Sequence, residues 1–346
     1  MVAALLGLTT TGKHRPVDDP PLVLVGCSGG PDSLALAAVT AFFASRGEIR
    51  VGAVVVDHQM QPGSAEVAAN TAATLRRLGL DPVQVRTVEL GNDGVGPEAA
   101  ARAARFGALD VAARELGAQT VLLGHTLDDQ AESVLLGLAR GSGTKSLAGM
   151  RPRRGLYARP FLGLRRSETL AICESLGLDP WHDPANTDPA YLRVRVRHSV
   201  LPFLTAELGP GVTESLARSA TILGHDADFL DALAQTEFER IAEIFPGADA
   251  HPGEVRLSED ALRQLAPALQ MRVLARAVVV LGGYQPSYER LASAQVLLER
   301  KGSAGPVQMA GKVSAYRISR SQGVPQDGPG YGKLVFRRSD TALQQQ

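Results

Sequence analysis

Four strand-like segments alternate with helix-like segments along the first 165 residues, and this alternation constrains the fold more than any other feature. Three are mainly apolar runs, at 22–25, 51–57 and 120–125, and the third in order, at 83–88, alternates valine with polar residues. The second run is continuous and rich in valine, which is typical of a strand that is buried on both faces. Successive strand–helix units predict a parallel sheet with helices on both faces, joined by right-handed crossovers. The predicted fold class is therefore α/β, with a doubly wound parallel sheet.

The second half of the sequence has a different pattern. Its periodicity predicts helices near 213–243, 259–282 and 286–299, separated by breaks rich in proline and glycine. Two short late strands are predicted at 307–313 and 334–336. This half is therefore expected to form a mainly helical domain.

The chain has 346 residues, which is long enough for two domains that each bury a core. The predicted divisions are a loosely ordered lead-in at 1–19, an α/β domain at 20–205, a smaller, mainly helical domain at 206–338 and a tail at 339–346.

Composition and cysteine content exclude several classes of protein. No stretch approaches 18 consecutive apolar residues, so a membrane-spanning helix is not expected. Cys27 and Cys173 are the only cysteines and lie far apart in the sequence. They permit neither a disulfide framework nor a paired-cysteine metal or redox site. A reducing, cytoplasmic location is therefore predicted.

A glycine turn follows the first apolar run and precedes a helix-like stretch. Adjacent glycines can adopt positive φ and let consecutive N–H groups converge on an anion, while the helix start adds unpaired donors and a positive dipole end. A carboxylate beside a polyphosphate would be repulsive without a cation between them, so Asp32 indicates bound Mg²⁺. The residues predicted to bind phosphate groups are Ser28, Gly29, Gly30, Pro31, Asp32 and Ser33.

This segment is not a Walker-type loop, because it lacks the required lysine and the required spacing. The alternative is an ordinary strand-to-helix turn, in which glycine, proline, aspartate and serine are common.

A second polar cluster follows the fourth strand-like segment. If a helix begins near Asp128, then Asp129 and Glu132 share one face and Asp128 can cap the first turn. Two carboxylates beside a nucleotide site could hold a cationic substrate or a metal. Compensation of the helix dipole is the alternative for each single acid, and His125 is either a catalytic group or a buried structural histidine.

Basic residues are clustered although the formal net charge of the chain is zero. The stretch from Arg140 to Arg166 has eight cations and no acidic residue, and Arg193, Arg195 and Arg197 follow. Such clusters favour contact with a polyanion, and a solvated loop paired with acidic residues is the alternative. In a helix, Arg193 and Arg197 share a face that Arg195 does not.

The motifs together resemble one family of enzymes. Residues 28–33 match the SGGxDS loop of the N-type ATP pyrophosphatases, and residues 124–133 closely resemble the GHTxDDQAET segment of the tRNA(Ile)-lysidine synthetases. Further similar segments follow in the same order, at 98–106, 140–143, 159–162 and 183–193. The loop identifies only the superfamily, whereas the later segments in combination point to the lysidine synthetases. The resemblance spans roughly residues 20–205.

This resemblance implies a ligase that replaces the C2 oxygen of the wobble cytidine, in the CAU anticodon of tRNA(Ile), with the ε-amine of L-lysine. ATP would first adenylate that oxygen with release of pyrophosphate, and lysine would then displace AMP. The implied substrate and cofactor are ATP and Mg²⁺. The first domain would catalyse the reaction and the second would recognise tRNA, and a homodimer is left open.

The resemblance also implies roles for individual residues. Arg102 and Arg105 would lie near the reacting phosphate, where arginine can stabilise developing charge, and Asp32 would hold the metal. These three are the predicted catalytic residues. Asp129 and Glu132 would receive the lysine ammonium. The residues that would contact tRNA phosphates are Arg140, Arg193, Arg195 and Arg197.

Two positions depart from the family pattern. Phe106 stands where the family usually has tyrosine, and Val194 stands where it usually has asparagine. The nearest alternative function is a tRNA sulfur transferase of the same superfamily, which typically uses the paired cysteines that this chain lacks. Another is a non-catalytic RNA-binding protein, against which the presence of Asp32, Asp129 and Glu132 counts.

Overall fold

The structure is a computed structural model that describes residues 1–8, 18–59, 61–89, 97–141, 143–247, 253–300, 302–318 and 332–338. The chain forms two compact units, Met1–Gly224 and His225–Gln346. The domain boundary predicted between residues 205 and 206 stays a prediction. The predicted tail and residues 9–17 of the predicted lead-in lie outside the described residues.

A six-stranded sheet forms the centre of the first unit. Its strands are β1 Leu22–Gly26, β2 Arg50–Asp57, β3 Val83–Thr87, β4 Thr120–Leu123, β5 Arg153–Arg154 and β6 Tyr157–Ala158. The order across the sheet is β3-β2-β1-β4-β6-β5, and every pair is parallel except β5 with β6. The predicted parallel sheet is confirmed. Because chain order reverses at β1, a ligand is expected at the carboxyl end of this strand.

Helices cover both faces of this sheet. They are α1 Val2–Leu6, α2 Pro31–Ala44, α3 Ser64–Arg77, α4 Pro97–Leu116, α5 Leu127–Ala139, α6 Thr144–Leu147, α7 Arg166–Ser175, α8 Leu192–Arg195 and α9 Leu201–Leu208. Successive strand residues point to opposite faces, so Val23 and Val25 pack with α2 and α3 while Leu22 and Leu24 pack with α4. Val2 of α1 belongs to the same hydrophobic cluster as Val23 and Val25, although a loosely ordered lead-in was expected here.

A π-helical turn, Val196–Val200, joins α8 to α9. Pro202 lies in the first turn of α9 and has no N–H to donate to the carbonyl group four residues earlier. A regular α-helix therefore cannot continue through this point, and the wider turn accommodates the missing bond. Such turns are frequent at functional sites.

The second unit contains an antiparallel sheet and helices. The sheet has the order β7-β8-β11-β10-β9, and a long helix, α10 Val212–Ile241, crosses the boundary at Gly224. The other elements are β7 Ala242–Phe245, β8 Glu254–Ser258, α11 Glu259–Gln264, α12 Pro267–Val280, α13 Tyr288–Val296, β9 Ala304–Gln308, β10 Val313–Ile318 and β11 Lys333–Arg338. Strands β7 and β8 were not predicted from the sequence.

Two elements that were each predicted as continuous are interrupted in the structure. The helix predicted at 259–282 is two helices, because Pro267 starts α12 and the residue before a proline avoids the helical region, as Ala266 does with ψ 143°. The strand predicted at 307–313 is the end of β9 and the start of β10, joined by a turn in which Gly311 and Lys312 have positive φ.

No helix among these described elements is long and apolar enough to cross a membrane.

Candidate active site

The loop between β1 and α2 is closed by the side chain of Ser33. Its Oγ accepts a hydrogen bond from the N–H of Ser28 at 3.2 Å and donates one to the carbonyl of Gly30 at 3.0 Å. Gly29 has φ +84°, and an added Cβ would lie 2.5 Å from Oγ1 of Thr71. Since α2 begins directly after Gly30, its unpaired N–H groups lie at the carboxyl end of β1. This geometry suits a phosphate group.

Gly124 brings the end of β4 against this loop. A Cβ at this position would lie 2.8 Å from the carbonyl oxygen of Asp32 and 3.0 Å from the backbone nitrogen of Ser33. Only glycine permits this approach without displacing the backbone. The contact fixes the start of α5 beside the start of α2.

The start of α5 is a capping box. The side chain of Thr126 accepts from the N–H of Asp129 at 3.4 Å, and Oδ2 of Asp129 accepts from the N–H of Thr126 at 2.8 Å. The prediction that Asp128 caps the first turn is therefore wrong. The Thr-x-x-Asp pattern of a capping box was nevertheless present in the sequence. Asp128 instead accepts the backbone N–H of Arg166 at 2.8 Å, which ties α5 to α7.

Three arginines converge on the two acids of α5. Arg166 Nη2 lies 2.9 Å from Asp129 Oδ1, Arg193 Nε lies 2.9 Å from Glu132 Oε2, and Arg197 Nε lies 2.7 Å from Glu132 Oε1. The side chain of Glu132 is fully buried. A buried carboxylate is costly unless it is paired and hydrogen-bonded, and these guanidinium groups meet that need.

Arg166 also contacts Asp32, at the start of α2 directly after the loop described above. Its Nε lies 3.4 Å from Asp32 Oδ2, and the Thr169 hydroxyl donates to Asp32 Oδ1. Burial raises the pKa of Asp32, and Thr169 and Arg166 offset this only in part. Burial alone would also raise the pKa of Asp129, but Arg166 and the N–H of Thr126 hold that pKa below its ordinary value. The residues of this arginine–carboxylate cluster are Asp32, Asp129, Glu132, Arg166, Arg193 and Arg197.

The four arginines expected at tRNA differ in their surroundings. Arg193 and Arg197 lie on one face, as their spacing predicts, but that face is turned to Glu132. Arg195 is exposed, and its Nη1 donates to two carbonyls of the preceding loop at 2.6 and 3.0 Å. Arg140 is exposed at the end of α5.

A second group of cationic side chains includes the two arginines expected at the reacting phosphate. Burial, together with the neighbouring guanidinium groups of Arg102, Arg193 and Arg159, lowers the pKa of Arg105 to about 10. The guanidinium carbons of Arg102 and Arg105 lie 5.0 and 5.8 Å from the ring centroid of Phe106. Phenylalanine at 106 therefore offers a ring face to two cations, whereas the hydroxyl usual in the family is missing.

Arg166 and Thr169 are functional candidates that sequence reasoning missed. They contact Asp32, from which they are separated by 134 and 137 residues. The basic stretch contained Arg166 without any local sign of its partners, because the packing of α7 against α2 creates the contact.

The carboxylates near Asp32 show whether the site suits the predicted Mg²⁺. Among the described residues, no group of three or more His, Cys, Asp or Glu side chains is arranged to hold a metal. Mg²⁺ in nucleotide sites commonly uses one or two carboxylates, with phosphates and water as the other ligands. Asp32 lies at the phosphate-binding loop with its side chain 21% exposed, so it fits that role as the single protein carboxylate.

Comparison with known proteins places these features in a family. Residues 10–204 match the family model described as a PP-loop domain. The chain is 50% identical to the tRNA(Ile)-lysidine synthase of Leifsonia xyli subsp. xyli, over 93% of this chain and 96% of that protein. It is 44% identical to the protein of the same name from Streptomyces coelicolor, over 92% of this chain and 86% of that protein.

A solved structure shares the fold of part of the chain. The U34-tRNA thiolase NcsA from Methanococcus maripaludis, with its 4Fe-4S cluster, matches with a TM-score of 0.50 and 21% identity. The match covers 60% of this chain and 74% of the thiolase chain. At this identity the similarity shows the fold alone.

Proposed function

This chain belongs to the tRNA(Ile)-lysidine synthase family and is an ATP-dependent ligase that forms lysidine in tRNA(Ile), and on that premise we propose how its residues divide the reaction. ATP adenylates the C2 oxygen of the wobble cytidine in the CAU anticodon, with release of pyrophosphate. The ε-amine of L-lysine then attacks C2, and AMP leaves with the former C2 oxygen.

One observation carries this division of roles. Arg166 contacts Asp32 at the phosphate-binding loop and, with another nitrogen of the same guanidinium, Asp129 of the acid pair. A site suited to phosphate and a site suited to an ammonium group are therefore one side chain apart. That proximity supports a reaction in which a bound amine meets a group activated by ATP.

In the proposal, the segment 28–33 binds ATP, and Asp32 holds Mg²⁺. When bound, the ion would neutralise charge on the phosphate oxygens. Arg102 and Arg105 stabilise the reacting phosphate, which the burial of Arg105 among other guanidinium groups supports.

Asp129 and Glu132 receive the lysine ammonium in this proposal. Both carboxylates are engaged here by Arg166, Arg193 and Arg197, so the ammonium group must replace a guanidinium. Asp129 retains a small exposed fraction, whereas Glu132 has none, which favours Asp129 as the first contact.

The remaining parts of the proposal concern partners and location. The proposed tRNA contacts are Arg140, Arg193, Arg195 and Arg197, of which Arg140 and Arg195 are exposed and Arg193 and Arg197 also serve Glu132. Free, buried cysteines support a reducing cytoplasm. Light scattering of the purified enzyme tests whether it is a monomer or a homodimer.

The sulfur-transferase alternative is disfavoured by the state of the cysteines. Burial raises the pKa of both Cys27 and Cys173, and sulfur chemistry needs an accessible thiolate.

The proposed reaction is tested by incubating the protein with Mg²⁺–ATP, labelled lysine and tRNA(Ile) with a CAU anticodon. Label should enter the RNA, and AMP and pyrophosphate should form in equal amounts. Absence of label, with lysine-independent transfer of sulfur, would overturn the proposal.

A further inference from the structure

Buried nitrogen atoms without hydrogen-bond partners are found on Arg105 and on three side chains whose electrostatic neighbours include it. Four such atoms, Nε of Arg105, Nε of Arg159, Nδ1 of His58 and Nδ1 of His125, have no hydrogen-bond partner. The Arg159 residue is only 6% exposed, whereas Arg102 is exposed. This buried cation group therefore contains nitrogen atoms that lack the partners such atoms normally have.

Asp129 offsets the positive charge of this group only in part, since its effect on the pKa of Arg105 is smaller than that of burial and of the neighbouring arginines. Within the described residues, neither Arg105 nor Arg159 forms a salt bridge, in contrast to the arginines that surround Glu132. Burial lowers the pKa of Arg159, and the charge of Arg102 lowers it further. Uncompensated buried cations are costly, and a fold tolerates them where a ligand completes the site.

The chain topology places this group at the edge of the sheet that carries the phosphate-binding loop. His58 directly follows β2, His125 follows β4 after one residue, and Arg159 directly follows β6. These three strands run parallel to β1, so their carboxyl ends lie at one edge. That edge is where α/β sheets bind their ligands.

The histidine and the arginines of this group have different roles. Burial and the charges of neighbouring arginines lower the pKa of His125, so its imidazole stays neutral. A neutral imidazole offers a hydrogen bond without adding another buried charge. A phosphate group, with several acceptor oxygens and a negative charge, matches guanidinium donors that have a vacant N–H.

We propose that Arg159 and His125, together with Arg105, form a subsite that binds one phosphate group of a substrate. This inference rests on the proposed function, which brings two sources of phosphate to the enzyme, ATP and the RNA backbone. It adds Arg159 and His125 to the residues that contact substrate.

The test replaces Arg159 by methionine, which keeps an apolar stem of similar length and removes the guanidinium. Arg50→Met is the matched control, because Arg50 is exposed at the start of β2, at the opposite edge of the sheet. Titration calorimetry measures the affinity of each protein for Mg²⁺–ATP and, separately, for an anticodon stem-loop RNA. Thermal unfolding is followed without ligand and with each of the two.

Arg159→Met should bind one of the two ligands about 10- to 100-fold more weakly, which is the usual worth of a charge-assisted hydrogen bond. The weakened ligand identifies the source of the phosphate. The variant should unfold without ligand at a temperature no lower than the wild type, because it lacks an uncompensated buried cation. The gain in unfolding temperature with the weakened ligand should shrink, and Arg50→Met should behave as the wild type.

Unchanged affinity of Arg159→Met for both ligands would overturn the subsite. A variant that fails to fold, or that unfolds well below the wild type without ligand, would also overturn it, since the guanidinium would then be structural. Lysine incorporation by the wild type separates the two proposals. If the wild type incorporates lysine while Arg159→Met binds both ligands with unchanged affinity, only the subsite is wrong. If the wild type does not incorporate lysine, the proposed function is wrong.

Discussion

Asp32 and Glu132 belong to one cluster but have different surroundings. Asp32 is partly exposed at the phosphate-binding loop and meets one guanidinium, whereas Glu132 is fully buried between the guanidinium groups of Arg193 and Arg197. The first carboxylate is open to a ligand, whereas the second is paired with guanidinium groups that a ligand would have to displace. Substitutions at the two positions should therefore affect different steps.

Asp32→Asn should abolish AMP formation, because the loop loses its only carboxylate, whereas Glu132→Gln should retain adenylation and raise the KM for lysine about 10-fold. The fold-change follows from the loss of one charged contact. Release of pyrophosphate from ATP and tRNA without lysine measures the first step, and KM for lysine in the complete reaction measures the second. Equal loss of adenylation in both variants would contradict separate roles.

The neutral state of His125 gives a prediction for stability. Its pKa in the folded protein lies well below the ordinary value of about 6.5, owing to burial and to Arg105, Arg159 and Arg102, with Asp129 opposing them. Below the ordinary pKa of histidine, the unfolded chain takes up a proton that the folded chain does not. The free energy of unfolding therefore falls as pH falls, by at most about 1.4 kcal/mol per pH unit.

Between pH 7 and pH 5, His125→Asn should therefore lose about 2 kcal/mol less stability than the wild type, measured by urea unfolding. His198→Asn, at an exposed histidine, is the control. A wild-type pH dependence in His125→Asn would show that the histidine is protonated in the folded state.

At the level of elements, short contacts between backbone segments define the site. Gly124 allows β4 and α5 to approach α2, and the π-helical turn before α9 positions Arg197 opposite Glu132. The glycine at 124 and the proline that interrupts the helix at 202 carry no polar side chain. The site is therefore sensitive to positions that carry no functional group.

Gly124→Ala should raise the KM for ATP and lower stability by about 1–3 kcal/mol, because its methyl group would lie 2.8 Å from the backbone of Asp32. Gly211→Ala is the control, since nothing lies within 4 Å of a methyl group there. Steady-state kinetics and urea unfolding measure the two effects. Identical behaviour of the two variants would contradict the role of the close approach.

Local sequence signals explain which elements could be predicted. Strands β1, β2 and β4 lie in apolar runs with clear ends, and the capping box at Thr126 and Asp129 can be recognised within four residues. Strand β8 has only five residues and is stabilised by β11, whose Arg337 contacts Glu254 from 83 residues away. Arg166 likewise finds Asp32 across 134 residues. Contacts of this kind come from packing and have no local pattern.

For the whole molecule, net charge conceals a local division of charge. The formal net charge is zero, yet arginines are concentrated in 140–197. Attraction of RNA therefore depends on a few exposed cations rather than on an overall field.

Arg195→Ala should weaken binding of tRNA and reduce the slope of log affinity against log salt concentration by about 1, since one phosphate contact is lost. Arg50→Ala, at an exposed arginine at the opposite edge of the sheet, should change neither. Filter binding over a range of potassium chloride concentrations measures both quantities. An unchanged slope for Arg195→Ala would show that Arg195 does not contact a tRNA phosphate.

In the lysine site proposed at Asp129 and Glu132, the surrounding arginines would compete with the amine as groups of the same chain. Because they belong to the same chain, their effective concentration at the carboxylates is of the order of millimolar or higher. A potassium ion or a simple alkylamine offers these acids nothing that a guanidinium does not, and so it cannot displace one. Lysine carries a second amine and a carboxylate that can make further contacts. Selection against the many small cations of a cell is therefore a consequence of a site that is filled from within.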